Sequence, residues 1–326
     1  MPIQAVYMQH VYAGLEPLQA FDVVYGGSFE HRLISSKLAE MEHQRLTLGE
    51  VRLETGRYEF PVIAHGTMPT DGICIGFMAE GGEWTRCNTA AIHSEEIQIY
   101  PEGIELLYHA SGHSRWVNFT APEGRMQQIA IARTGRPLRL RRHGLHSIHL
   151  RRGGRLALTT LTSDALGLAR RLQADGGMAP ALAEEVCESL LTGYVDALSA
   201  AAPPGKPEKM AVEQRHYHLI AACERLVLSG EATDVALTDV ARRSGYTLRS
   251  LEMIFRRSVG MPPGRWFMTA RLNGALRDLL TCGPDATVSD IALKWGFRHM
   301  SRFAEYYRNT FGELPSATLA RSSPRP

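Results

Sequence analysis

The 326-residue sequence has no long apolar run and no paired cysteines. No stretch of about 18 uninterrupted apolar residues occurs, so we expect no membrane span. Residues 1–4 lack the basic start and apolar run of a signal peptide, which favours a cytoplasmic protein. The five cysteines are scattered and form no CxxC pair, so neither a zinc knuckle nor a disulfide framework is indicated.

Net charge is also low, at +2, and by itself it points to no charged partner. The charge is unevenly distributed, however. Residues 1–208 hold 19 basic and 23 acidic side chains, whereas residues 209–326 hold 17 basic and 11 acidic ones. The basic last third is a first indication of a nucleic-acid partner.

The N-terminal region is predicted to be rich in strands over residues 20–120. Short apolar segments separated by Gly, Pro and Asp are typical of a sandwich or small barrel. The expected strands cover residues 58–64, 73–78, 97–100, 104–109 and 116–120.

Two helices are expected after the strands. The first is predicted to start at Ser163-Asp164 and to run to about residue 174, and the second to run from Pro180 to Leu198. The second carries an apolar stripe at every fourth position. Such a stripe either packs on its own domain or forms a dimer surface. Its members are Leu182, Val186, Leu190, Tyr194 and Leu198.

A segment with three prolines and a glycine, residues 201–210, is the clearest linker in the chain. The charge balance changes sign there, and the sequence after it is helical in pattern. An amphipathic helix is predicted to follow directly, with apolar positions from Val212 to Val227, ending near Gly230.

The C-terminal third contains an internal repeat with an offset of 51 residues. The offset becomes 52 after the aromatic pair Tyr246 and Phe297, because the second copy has one additional residue there. Residues 237–241 (LTDVA) return as residues 288–292 (VSDIA). The further pairs are Gly245 with Gly296, Tyr246 with Phe297, Leu251 with Phe303, Phe255 with Tyr307, Gly260 with Gly312 and Pro263 with Pro315.

Each copy predicts a helix-turn-helix. A short helix, such as residues 238–244, meets a glycine whose positive φ lets the chain reverse. A second helix follows, at residues 248–259 in the first copy and 299–311 in the second. Residues 263–280 predict a connecting helix between the copies. Thr287 is a predicted helix cap, whereas Ala236 at the matching position predicts a less well fixed helix in the first copy.

This duplicated motif resembles the DNA-binding module of the AraC/XylS family of bacterial transcription regulators, over about residues 211–320. The strongest segment is Asp290-Ile291-Ala292-x3-Gly296-Phe297-x3-Ser301-x-Phe303-x3-Tyr307-x3-Phe311-Gly312-x2-Pro315. The resemblance implies seven helices, with both second helices entering successive major-groove segments about 34 Å apart. It therefore implies double-stranded DNA as a partner.

Helical spacing places a set of side chains on the outward faces of the two second helices. They are Thr247, Arg249, Ser250, Glu252, Met253 and Arg256 in the first copy, and Arg298, His299, Met300, Ser301, Arg302, Glu305 and Arg308 in the second. The resemblance assigns base contacts to the early part of each face. These are Arg249, Glu252 and Met253, and His299, Met300, Ser301, Arg302 and Glu305. We expect phosphate contacts from Arg256, Arg257 and Arg308.

The resemblance also implies an α+β multidomain architecture. A β-rich, cupin-like sensor with C-terminal dimer helices would occupy residues 1–200. The linker at 201–210 would join it to an all-α domain with two helix-turn-helix motifs at 211–320. The family implies a small-molecule effector, a homodimer and contact with RNA polymerase, and we expect a transcription activator without membrane association.

Two alternatives remain: an effector-independent regulator, or a cupin-type enzyme with an appended DNA-binding module. The segment Pro101-Glu102-Gly103 resembles a cupin motif, but Leu106 stands where the enzymes need histidine. We therefore expect no enzymatic activity, no cofactor and no metal. Four histidines could converge on a metal but form no HxH pair; they are His65, His93, His109 and His113.

Two further groups have open interpretations. Residues 133–155 contain eight arginines and three histidines, which either face acidic neighbours or form an anion site, an interface or a phosphate contact. Most aromatics of the expected strands should be core, with one or two lining an effector pocket. These aromatics are Tyr58, Phe60, Phe77, Trp84, Tyr100, Tyr108, Trp116 and Phe119.

Overall fold

A computed structural model describes residues 3–35, 40–93, 95–140, 144–201, 207–228, 237–283 and 285–322. Strands dominate the first half of the chain and helices the rest. The predicted division into a β-rich N-terminal region and an all-helical C-terminal region is therefore confirmed. None of the helices in these residues combines the length and hydropathy needed to span a bilayer.

Antiparallel pairs build two sheets from the strands of the described residues. The seven-stranded sheet has the order β1-β3-β4-β11-β6-β9-β12, and the five-stranded sheet has the order β2-β5-β10-β7-β8. The strands are β1 (Ala5–Ala13), β2 (Ser28–Leu33), β3 (Glu40–Leu48), β4 (Val51–Tyr58), β5 (Val62–Thr67), β6 (Ile73–Glu80), β7 (Thr85–Cys87), β8 (Ala90–Ala91), β9 (Glu96–Tyr100), β10 (Glu105–Ala110), β11 (Ser114–Ala121) and β12 (His146–His149).

The predicted strand over residues 58–64 is wrong. Tyr58 ends β4 and Val62 begins β5, and the two strands belong to different sheets. Pro61 in this interval has no N–H for a ladder hydrogen bond, so the chain turns there. A run of apolar residues across a turn looks the same as a single buried strand in the sequence.

Both faces of the seven-stranded sheet are covered, as the central strand β11 shows. Val117 and Phe119 point to one face, where they share a core with three helices. Trp116 and Asn118 point to the other face and line a cavity between the two sheets. This alternation follows from the two-residue period of a strand. The three helices are α1 (Glu123–Thr134), α2 (Gly154–Gln173) and α3 (Pro180–Ser199).

The predicted helix start at Ser163-Asp164 is wrong, because α2 begins nine residues earlier, at Gly154. Ser163 and Asp164 lie inside the helix. Two threonine hydroxyls, of Thr159 and Thr162, donate to the carbonyls four residues before them, which is how such side chains are accommodated within a helix. In contrast, α3 starts at Pro180 as predicted.

The apolar stripe of α3 packs on its own domain. Leu190 and Tyr194 are fully buried, and the Tyr194 ring stacks on Phe119 with the centroids 4.0 Å apart. Leu198 is buried as well, and Leu182 and Val186 are half buried. Of the two interpretations of this stripe, the structure supports the intramolecular one.

The C-terminal half consists of helices. They are α4 (Pro207–Leu228), α5 (Leu237–Arg243), α6 (Leu248–Val259), α7 (Pro263–Thr281), α8 (Val288–Lys294), α9 (Met300–Phe311) and α10 (Pro315–Ser322). Most of the predicted linker, residues 202–206, lies outside the described residues, as does Ala236. Helix α4 already begins at Pro207, inside the predicted linker.

Candidate nucleic-acid interface and interior cavity

The first helix-turn-helix consists of α5 and α6. Gly245 between them has a φ of 75°, a conformation that favours glycine. Val240, Leu251 and Phe255 are buried in the core that this copy forms with α4 and α7. Thr247 caps α6, because its Oγ1 accepts a hydrogen bond from the Ser250 N–H at 3.1 Å.

The second helix-turn-helix, α8 and α9, repeats this geometry. Gly296 has a φ of 79°, and the Thr287 Oγ1 accepts from the Asp290 N–H at 3.1 Å, which confirms the predicted cap. Tyr307 is fully buried, whereas Tyr306 is exposed. Tyr307 is therefore the inward aromatic of this copy.

The predicted DNA-contacting side chains largely lie on the open surfaces of α6 and α9. Two are half buried in the first copy, Ser250 and Glu252. In the second copy Met300 is half buried and packs against the core, so its thioether is less available for a base contact. The exposed members are Thr247, Arg249, Met253, Arg256, Arg257, Arg298, His299, Ser301, Arg302, Glu305 and Arg308.

A buried ion pair joins the helical region to the N-terminal sheet. The Arg32 guanidinium on β2 donates to both carboxylate oxygens of Glu224 on α4, at 2.9 and 2.7 Å. The Trp266 indole N–H donates to the same carboxylate at 2.6 Å. Burial raises the pKa of Glu224, but the charge and hydrogen bonds of Arg32 outweigh burial and leave that pKa below its usual value. Glu224 therefore stays ionised at neutral pH.

A second contact lies nearby. The Asn273 side chain on α7 accepts from the Leu33 N–H at 2.7 Å and donates to the Leu33 carbonyl at 2.8 Å. Sequence reasoning missed these contacts. A signal existed, because Glu224 falls beside the apolar stripe of α4 and Asn273 falls in the middle of an apolar helix.

A cavity with an empty volume of about 440 Å³, part of which is open to solvent, lies between the two sheets. More aromatics line it than predicted. They are Phe29, Tyr58, Phe77, Tyr100, Tyr108 and Trp116. Leu106, at the position where a cupin enzyme would carry histidine, is also in the wall. Phe119 and Trp84 are not: Phe119 faces the helices, and Trp84 is exposed.

The four histidines considered as metal ligands lie apart. His113 contacts Glu59 and Glu80, at 2.9 and 2.6 Å, on the exposed surface. His93 is exposed, His65 is half buried, and His109 is buried with its pKa lowered to about 4 by burial and by Arg86. Within the described ranges, no group of three or more His, Cys, Asp or Glu could hold a metal ion.

The basic segment 133–155 is dispersed over several elements. Arg133 on α1 makes a double contact with Asp196, with both distances 2.8 Å, and Arg155 on α2 donates to the carbonyls of Met78 and Ala79. His146 is buried on β12. Residues 141–143 lie outside the described residues. Arg133 thus faces an acidic neighbour, as one of the interpretations expected, whereas Arg155 faces backbone carbonyls.

Comparison with known proteins matches a helix-turn-helix domain family to residues 215–321. The "Probable thc operon regulatory protein" of Rhodococcus erythropolis is 41% identical over 86 residues, which is 26% of this chain and 26% of that protein. "Transcriptional activator NphR" of a Rhodococcus species is 30% identical over 151 residues, 46% of this chain and 44% of that protein. The chain thus spans less than half the length of these relatives.

A solved structure, of "a probable AraC family transcriptional regulator" from Rhodopseudomonas palustris, is 29% identical. It covers 33% of this chain and 99% of its own length, with a TM-score of 0.30. The matched family and the named relatives agree with the duplicated motif of α5–α6 and α8–α9. Over residues 215–321 the chain matches a helix-turn-helix domain family and is similar to named transcription regulators, in agreement with the resemblance to the AraC/XylS family.

Proposed function

We propose that the protein is a sequence-specific DNA-binding transcription regulator, an activator controlled by a small molecule. The observation that carries the proposal is the pair of helix-turn-helix motifs whose second helices both leave arginines exposed. Arg249 on α6 and Arg302 on α9 both lie in the first turn of their helices. An arginine there can donate two hydrogen bonds to a guanine in the major groove.

The DNA-contacting set is the one expected from the sequence, with base contacts led by Arg249 and Arg302. Phosphate contacts come from Arg256, Arg257 and Arg308, near the C-terminal ends of the same helices. The named relatives are regulators and not enzymes, which supports the expectation that this chain has no enzymatic activity.

We assign residues 1–200 to a cupin-like sensor and residues 211–320 to the DNA-binding domain. The cavity between the sheets is the effector site in this proposal, because it is the apolar, partly enclosed space of the sensor. The five-stranded sheet separates this cavity from the C-terminal helices. Leu106 of β10 lines the cavity, whereas its neighbour Leu107 packs with the first helix-turn-helix. A ligand that shifts this sheet would favour one arrangement of the helices over another.

Homodimerisation and contact with RNA polymerase complete the proposal. The dimer would use a surface other than the α3 stripe, because that stripe is buried within one chain. Sedimentation of the full chain across a range of concentrations tests the dimer independently of DNA.

Selection from random duplex DNA, followed by titration of the selected duplex, tests the main proposal. We expect the selected duplex to bind at least about 1,000-fold more tightly than a scrambled duplex of the same composition. The logarithm of the affinity should fall linearly with the logarithm of the salt concentration. Equal retention of both duplexes at every salt concentration would contradict the proposal.

A further inference from the structure

Three residues in register across the seven-stranded sheet form one side of the cavity. Asn118 on β11 pairs with Gly76 on β6, and Gly76 pairs with Gln98 on β9. A Cβ at Gly76 would lie 2.6 Å from the Asn118 Oδ1 and would also collide with the Tyr100 ring. The glycine thus lets the Tyr100 ring and the Asn118 carboxamide pack closely over the β6 backbone. Asn118 and Gln98 both line the cavity.

The carboxamide of Gln98 has no partner in the described protein. Gln98 is 3% exposed, and its Oε1 is buried without a hydrogen bond. Exchanging the positions of its oxygen and nitrogen would not change this, since neither atom has a protein partner. A buried polar group without a partner costs free energy, and a ligand that supplies the missing bond removes that cost.

Other polar groups of the wall are already engaged. The Tyr58 hydroxyl lies 2.8 Å from the His31 Nε2, and the Tyr108 hydroxyl donates to the Ser114 Oγ at 2.8 Å. The Tyr100 hydroxyl lies 3.8 Å from the Cys87 Sγ. The two carboxamides are therefore the groups left to meet a ligand.

None of the described residues that line the cavity is charged. The nearest charges in the same row, Arg45 and Glu54, are bonded to each other at 2.5 Å. Burial lowers the pKa of His31 to about 4 and that of His43 to about 3, so both imidazoles are neutral at pH 7. A ligand carboxylate would be buried here without a counter-charge, which is strongly unfavourable.

The aromatic side chains restrict the shape of the ligand. The rings of Tyr58 and Tyr108, which belong to different sheets, lie with centroids 5.8 Å apart, and Tyr100 and Trp116 stand on the same sheet as Tyr58. The lining rings come from both sheets. Flat rings fit such a space and gain from offset or edge contacts with the lining rings.

We propose that the cavity binds an uncharged, single-ring aromatic compound bearing an amide or equivalent group, whose N–H donates to the Gln98 Oε1 and whose acceptor faces Asn118. This inference rests on the proposed effector site and specifies its chemistry. It excludes aromatic acids as the preferred class of ligand.

Three probes of nearly equal size test it by calorimetric titration of the full chain: benzamide, benzoate and acetophenone. Benzamide donates and accepts, acetophenone only accepts, and benzoate is charged. We expect benzamide to bind at least about tenfold more tightly than either of the others. Tighter binding of benzoate, equal binding of benzamide and acetophenone, or no binding of benzamide would each overturn the proposal.

The Gln98→Met variant keeps the length of the side chain and removes its carboxamide. We expect it to lose the preference for benzamide over acetophenone while still binding acetophenone, which shows that the cavity is intact. The matched control is Gln44→Met, because Gln44 lies on the same sheet and bonds to Tyr7 and Glu42 outside the cavity. A preference that persists in Gln98→Met would overturn the assignment of the donor contact.

Measurement of DNA retention on the same samples separates this inference from the proposed function. If benzamide binds but all duplexes are retained equally, the proposed DNA-binding function is wrong and the proposed class of ligand stands. Specific DNA retention without benzamide binding would do the reverse.

Discussion

The two helix-turn-helix copies have nearly the same internal geometry but different supports. The first copy packs against α4, and through the Arg32–Glu224 pair it is tied to strand β2 of the N-terminal region. The second packs against the C-terminal helix α10, where the hydroxyls of Tyr307 and Thr318 lie 2.8 Å apart. The repeated residues form the core of each copy, whereas the neighbouring helices differ between the copies. The first copy is therefore the one whose supporting helix α4 forms a buried ion pair with the N-terminal region.

The surfaces that we propose face DNA differ as well. In the first copy the hydroxyls of Thr247 and Ser250 are 2.9 Å apart and take part in the cap of α6. In the second copy His299 stands at the N-cap of α9 without a side-chain cap bond, and Ser301 and Arg302 are exposed beside it. The second copy therefore offers more unengaged polar groups at the start of its recognition helix.

The largest expected effect comes from Glu224→Ala, which tests whether the first copy depends on its buried ion pair. Removing the carboxylate takes the acceptor from two nitrogens of the buried Arg32 guanidinium and leaves it with Glu30 alone, 2.8 Å from its Nε. We therefore expect a loss of about 3 kcal/mol in the free energy of unfolding. Urea unfolding measures the loss, and amide hydrogen exchange should accelerate more in α6 than in α9. Glu224→Gln, which keeps an acceptor for Trp266, should lose less. Equal acceleration in both copies would contradict the difference in support.

A smaller effect is expected from Arg302→Ala and Arg249→Ala, which test whether each copy reads its own part of the site. Each substitution should cost about 1–3 kcal/mol of specific DNA binding, because a bidentate guanine contact is lost. Footprints should weaken at opposite halves of the selected duplex. Arg257→Ala is the matched control, since loss of a phosphate contact should weaken all sequences alike. Unchanged affinity of Arg302→Ala would remove that residue from the base contacts.

The sequence predicts the C-terminal region well because its determinants are local. Glycines at the turns, apolar positions at helical spacing and the Thr287 cap each act within a few residues, so α6 and α7 were placed nearly to the residue. The prediction missed the start of α2 because Ser and Asp are typical of helix caps, whereas Ser163 and Asp164 lie in the interior of this helix. The single predicted strand over residues 58–64 failed because apolar runs do not show which sheet a residue joins.

The cavity and the interface between the regions were beyond sequence reasoning for a different reason. Gln98, Gly76 and Asn118 are 20 residues or more apart, and only strand register brings them together. Arg32 and Glu224 are 192 residues apart. The sequence shows residues of suitable chemistry, but pairing between distant segments depends on the three-dimensional packing.

Substitution of the two caps gives a direct comparison of the copies. Thr247 and Thr287 both accept from a backbone N–H at 3.1 Å, so Thr→Ala should cost about 1 kcal/mol of stability at either position. Thr→Ser at each site keeps the hydroxyl and should cost less. Urea unfolding of the four variants provides the measurement. If Thr→Ala leaves the free energy of unfolding unchanged at one position only, the cap stabilises the helix in one copy and not in the other, and the expectation of equal caps is wrong.

The smallest effect is expected at an exposed ion pair of the first copy, Asp239 with Arg242, 2.7 Å apart. Both side chains remain largely in water, so the attraction is screened and ordering the side chains offsets it. Asp239→Ala should change the free energy of unfolding by no more than about 0.5 kcal/mol. Together with Glu224→Ala it separates burial from charge within one motif, since both substitutions remove a carboxylate that faces an arginine. A loss at Asp239 as large as that at Glu224 would mean that the first copy responds to any lost charge, and not to its contact with the N-terminal sheet.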